Sequence, residues 1–175
     1  MAINTLALVE KRIVLPTVDT RTIKIRKHKP TVLIFDDFVV DGKVLSDLIK
    51  ESEPSSPLLS TSLAQGWDKA EQIKSLKRLL GLEKPDLPGN RVAIYVCPFD
   101  GDLQCDCVGV DIVFNADTVV WKKFAWDGTH EDWSENDPYD EEESVTPLQS
   151  VNSFTFDKIE YEALMQSELK KLSVK

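Results

Sequence analysis

Apolar and polar residues alternate over Arg21–Lys27, with Ile23 and Ile25 set between Lys24 and Arg26. That period of two predicts a half-buried strand with a basic outer face. The short apolar run Thr31–Phe35 predicts a second strand. After Asp41-Gly42 the spacing changes, and Val44, Leu45, Leu48 and Ile49 recur as they would on one face of a helix. Residues 52–62 (SEPSSPLLSTS) read as a Ser/Pro-rich loop.

Two more helices carry start signals. Asp68 stands three residues before Glu71, with Ile73, Leu76 and Leu80 on one face and Gly81 placed to end the helix in the left-handed conformation. Asp157 and Glu160 repeat that capping pattern. Phe156 and Tyr161 form a candidate hydrophobic staple, and Leu164, Met165, Leu169 and Leu172 continue the buried stripe. Between these helices lie Arg91–Cys97, Cys107–Phe114 and Thr118–Phe124, rich in β-branched and aromatic residues and bounded by turn residues. Short connections between neighbouring strands imply antiparallel pairing. The predicted architecture is α+β: one domain over residues 1–175, an antiparallel or mixed sheet with a central meander at about 91–126, and three helices against it.

Charge changes this picture in one place. The 175 residues hold 21 Lys and Arg against 30 Asp and Glu. Asp127, Glu131, Asp132, Glu135, Asp137, Asp140, Glu141, Glu142 and Glu143 fall in a predicted acidic loop over 127–150, with no Lys or Arg between residues 127 and 143. Those nine acids equal the whole net charge of −9, leaving 21 cations against 21 acids elsewhere. Trp126, Trp133 and Tyr139 are interleaved with them. Acids steer a cationic partner and aromatic residues anchor one, so this segment is the candidate partner-binding site. The same pattern also suits a solvated loop, or one lying against the basic run near Arg21–Lys29.

No apolar run approaches the ~20 residues that cross a bilayer, and three cysteines without an export signal suggest reduced thiols in a cytoplasm. Cys97, Cys105 and Cys107 lack zinc-type spacing, and Asp100, Asp102 and Asp106 around them disfavour a thiolate. A metal or enzyme centre at Cys97, Gly101, Asp102 and Cys105, with His130 a further donor, is the alternative reading. Asp36 and Asp37 follow an apolar run, as metal-binding acids do in phosphotransfer folds; the other reading is an Asp-rich turn and helix cap. His28 and His130 match no triad, and the glycines form no phosphate loop.

The order LPGNRVAIYVCPFDGDLQC, then VVWKKF, then FTFDKIEYEAL resembles that of a group of bacterial proteins of uncertain function. Asp106 departs from their pattern, which has Gly after the second Cys. In size and charge alone the chain is similar to toxin-immunity proteins. Together these features predict a non-enzymatic cytoplasmic protein without a cofactor. Its expected partner is a basic protein, such as a nuclease-like toxin, with neither nucleic acid nor membrane as target.

Overall fold

The computed structural model describes residues 2–16, 31–99, 101, 103, 107–127 and 145–174. Strand β1 (Leu6–Leu15) pairs antiparallel with β2 (Thr31–Val40), which turns through Asp41 and Gly42 into the short β3 (Lys43–Val44). Asp41 and Gly42 both have positive φ (50° and 79°), the backbone that a two-residue hairpin needs. Helix α1 (Leu45–Ser52) follows, then a long connection to α2 (Lys69–Leu79).

The second sheet holds β4 (Val92–Tyr95), β5 (Cys107–Phe114) and β6 (Thr118–Asp127) as a meander. β7 (Val145–Pro147) and β8 (Phe154–Asp157) share the free edge of β6. The former pairs with Ala125–Asp127 and the latter with Thr118–Trp121. Helix α3 (Lys158–Ser173) then closes the described chain. The fold is therefore α+β, with three helices and two antiparallel sheets among the described residues. No described helix is long and apolar enough to cross a membrane.

The two sheets share one core. Trp121 of β6 is fully buried and meets Phe38 of β2, Phe156 of β8 and Tyr161 of α3 edge-on, with ring centroids 5.1–6.2 Å apart. Its indole N–H donates to the Tyr161 hydroxyl, which donates to the Leu79 carbonyl at the end of α2. Asp68 and Asp157 both accept a hydrogen bond from the backbone three residues on, as their spacing predicts.

Several expectations are corrected. β1 has no counterpart in the sequence reading, because its burial alternation slips where Val9 and Glu10 are both exposed. Asp36 and Asp37 form no turn or cap: they lie inside β2, and α1 starts at Leu45 behind Val44, which offers no side-chain cap. Beyond Ser52 the Ser/Pro-rich stretch is a loop, pinned at its far end. Ser60 exchanges backbone hydrogen bonds with Val96, while Leu63 and Gln65 bond Asp36 and Ile34, so the segment ties one sheet to the other. Residues 145–147 of the predicted acidic loop are strand. The predicted strand at Arg21–Lys27 lies outside the described residues.

Candidate functional site

Two buried charged clusters have the composition of a catalytic site, and in each the polar groups are engaged with one another. Asp37 is fully buried, yet every direction around its carboxylate is filled. Oδ1 accepts from the Phe38 backbone (2.8 Å) and the Tyr95 hydroxyl (2.6 Å), and Oδ2 accepts from Ser46. Lys11 Nζ stands 3.6 Å from Oδ2 and donates to Ser46 and to Asp47. Burial and the adjacent Asp37 hold the Tyr95 phenol far above its ordinary range, so it remains a donor. A serine whose proton is committed to a carboxylate, beside a lysine tied to two acids, has no free base to activate it. The cluster joins β1, β2, α1 and β4.

Arg91 is the second. Nε reaches both Asp127 oxygens (3.0 and 3.3 Å), Nη1 reaches Asp111 (3.1 Å), and Nη2 reaches the Gly109 and Lys123 carbonyls (2.9 and 2.8 Å). The sheet is shaped to receive it. Lys123 takes a positive φ of 55° where the β5–β6 register shifts. A Cβ at Gly109 would stand 2.1 Å from an Asp127 oxygen. A guanidinium with all its neighbours engaged at the root of a bulge is structural.

A cavity of about 440 Å³ is different. Trp67, Phe99, Ala93, Val96 and Leu103 give it an apolar wall, and Asp68, Glu71, Arg78 and Asp86 supply charge. Gly101, at φ 73°, approaches so closely that a Cβ there would stand 3.1 Å from the Trp67 ring. Arg78 Nη1 lies 3.5 Å from Asp86 Oδ2, and the other Asp86 oxygen accepts from the Ala93 backbone (3.0 Å). The Arg78 Nε is buried with no hydrogen-bond partner among the described residues. Burial raises the Asp86 carboxyl above its ordinary range, and the Ala93 N–H and Arg78 offset that only in part. Here the polar groups are incompletely matched, the common condition of a site that takes a ligand.

Of the residues expected to bind a partner, the structure places two. Trp126 is half-buried against the core, its indole N–H donating to Glu53 (2.8 Å). Asp127 is buried against Arg91, which removes it from the acids available to a partner; its burial raises the carboxyl, partly offset by Arg91. Glu131, Asp132, Trp133, Glu135, Asp137, Tyr139, Asp140, Glu141, Glu142 and Glu143 lie outside the described residues, as do Cys105, Asp102, Asp100, Asp106, His28 and His130.

Of the thiols, Cys97 is buried. Cys107 packs with Leu87, Ala93 and Val96 and donates to the Asp127 carbonyl (2.8 Å). Among the described residues no three His, Cys, Asp or Glu are grouped to hold a metal ion. Sequence reasoning missed Arg78 and Asp86; each is an ordinary polar residue until the fold joins the end of α2 to the approach to β4. Comparison with known proteins identifies no relative: no family model, curated protein or solved structure matches the chain.

Proposed function

We propose that this protein is a non-enzymatic binder of a basic protein, acting through the acidic segment between β6 and β7 as an immunity or antitoxin protein acts on a nuclease-like toxin. One observation carries the reading: the segment holding eight acids and no cation is rooted in paired strands. Asp127 pairs with both Cys107 and Val145, and its side chain is held by Arg91. Strand pairing at the root limits the entropy lost when a partner docks, and concentrated acid speeds encounter with a cationic surface. Trp133 and Tyr139 are the proposed anchors.

The test pairs the purified protein with the products of its neighbouring genes. Glu131, Asp132, Glu135, Asp137, Asp140, Glu141, Glu142 and Glu143 are replaced by Asn or Gln, and Asp127 is kept because the fold needs it. Loss of capture by about tenfold or more, with unfolding unchanged, supports the reading. Capture indifferent to the eight replacements and to salt removes it.

A further inference from the structure

β1 is the edge of its sheet. Its ten residues pair with β2 in an unbroken register from Leu6 opposite Val40 to Leu15 opposite Thr31, and they include neither glycine nor proline. The Asp41 N–H donates to the Thr5 carbonyl (3.1 Å), which turns Thr5 toward β2, while the Asn4 N–H donates the other way, to the Thr155 carbonyl (2.6 Å). Backbone direction alternates along a strand, so Leu6, Leu8, Glu10, Arg12 and Val14 present their N–H and C=O groups away from β2. Beyond Asn4, no described residue pairs with that edge. The side chains of Val9, Glu10, Arg12 and Val14 are exposed along it, Val14 at 59%. A straight edge of this length, without a bulge or a proline to blunt it, is a template for another strand.

The order of residues selects the strand that fits. β1 reads LALVEKRIVL, with an acid and two cations at its centre and apolar residues on both sides. A second β1 laid antiparallel about Lys11 sets Glu10 opposite Arg12 twice over, Leu8 opposite Val14, and Val9 opposite Ile13. The outward backbone groups of Glu10 and Leu8 then meet those of Arg12 and Val14, as a ladder requires. Centring the pair on Glu10 or on Arg12 sets like charges face to face and places Lys11 opposite Val9 or Ile13, so charge and apolar pattern agree on one register. That register brings the two Lys11 residues together, but each is neutralised within its own chain. Its Nζ donates to Asp47 (2.7 Å) and to Ser46, and stands 3.6 Å from Asp37. Within one chain Arg12 and Glu10 are 3.4 Å apart with 67% and 52% of their side chains exposed, which leaves both open to a cross-strand partner.

We propose that β1 pairs with β1 of a second copy of this chain, antiparallel and centred on Lys11, joining two three-stranded sheets into one of six strands. The interface is isologous: the same edge serves both copies, and the two Glu10–Arg12 pairs fix its register.

Sedimentation equilibrium of the full chain tests this. Up to about 1 mM the native chain follows a monomer–dimer equilibrium. Arg12→Glu and Glu10→Arg each set like charges opposite one another and weaken the dimer by about tenfold or more, with urea midpoints unchanged because both side chains are exposed. The two variants mixed in equal amounts recover native association, since one edge then carries two acids and the other two cations. The double exchange Glu10→Arg with Arg12→Glu recovers it within a single chain. A native chain that stays monomeric at about 1 mM overturns the proposal. So does a dimer indifferent to both single reversals, or a loss that neither the mixture nor the double exchange restores.

Discussion

Asp37 and Asp86 are both acids taken largely out of water, and the protein treats them in opposite ways. Asp37 is surrounded by a backbone N–H, a phenol, a serine hydroxyl and a lysine, drawn from four elements. Asp86 keeps one backbone N–H and a guanidinium at 3.5 Å. A buried polar network with every member satisfied rigidifies a fold, and one left partly satisfied costs stability unless something else uses it. Deep burial of a carboxylate is thus no sign of function here. The functional candidate is the shallower acid whose surroundings are unfinished.

The sharpest way to break the comparison is to empty the satisfied cluster. Asp37→Ala leaves the Tyr95 hydroxyl, Ser46 and Lys11 without their common acceptor. It should cost about 3–5 kcal/mol in urea unfolding, comparable to breaking a buried ion pair from one side. Tyr95→Phe removes a single donor to that carboxylate and should cost about 1.5–3 kcal/mol. If both substitutions leave the urea midpoint unmoved, the cluster is not the pin between the sheets, and its serine and lysine return as chemical candidates.

The contrast also explains what could be read from residue order. β5 is legible to the residue because Cys107–Phe114 is an almost unbroken apolar run rich in valine and isoleucine, closed by turn residues after Phe114. The caps at Asp68 and Asp157 are legible because their partners lie three residues away. Asp37 is not, since an acid inside a strand contradicts strand propensity until Tyr95 arrives from 58 residues downstream. The same holds for Asp127: adjacency grouped it with the acidic segment, and only Arg91, 36 residues upstream, turns it inward. Charge counting located the acidic segment but could not sort its members. The cavity gave no warning, because Trp67, Arg78 and Asp86 meet only when α2 packs beside β4.

Asp86 gives a smaller effect with a sign that can be worked out. Burial raises its folded-state pKa above the ordinary 3.8, so the folded chain holds this proton more tightly than the unfolded one. Stability from this group is present below the ordinary value and is lost as pH rises through the folded value. Asp86→Asn has no such proton to lose. The variant should be about 1 kcal/mol less stable than the native chain at about pH 3, and the gap should close or reverse by about pH 7. Urea midpoints at the two pH values check this. A gap that widens as pH rises would mean that Arg78 over-compensates Asp86, making it a second Asp37.

The smallest effects come from the exposed ends of the two clusters, and they test whether the difference lies in the buried groups alone. Asp47 holds Lys11 at 2.7 Å with 59% of its side chain exposed, and Glu71 holds Lys74 at 3.1 Å with 60% exposed. Exposed pairs of this kind are worth little, so Asp47→Asn and Glu71→Gln should each move stability by no more than about 0.5 kcal/mol. Raised salt should shrink both differences further. A Glu71→Gln chain that loses stability by more than Asp47→Asn would place Glu71 among the groups that hold α2 in position, and the cavity rim would then be part of the framework.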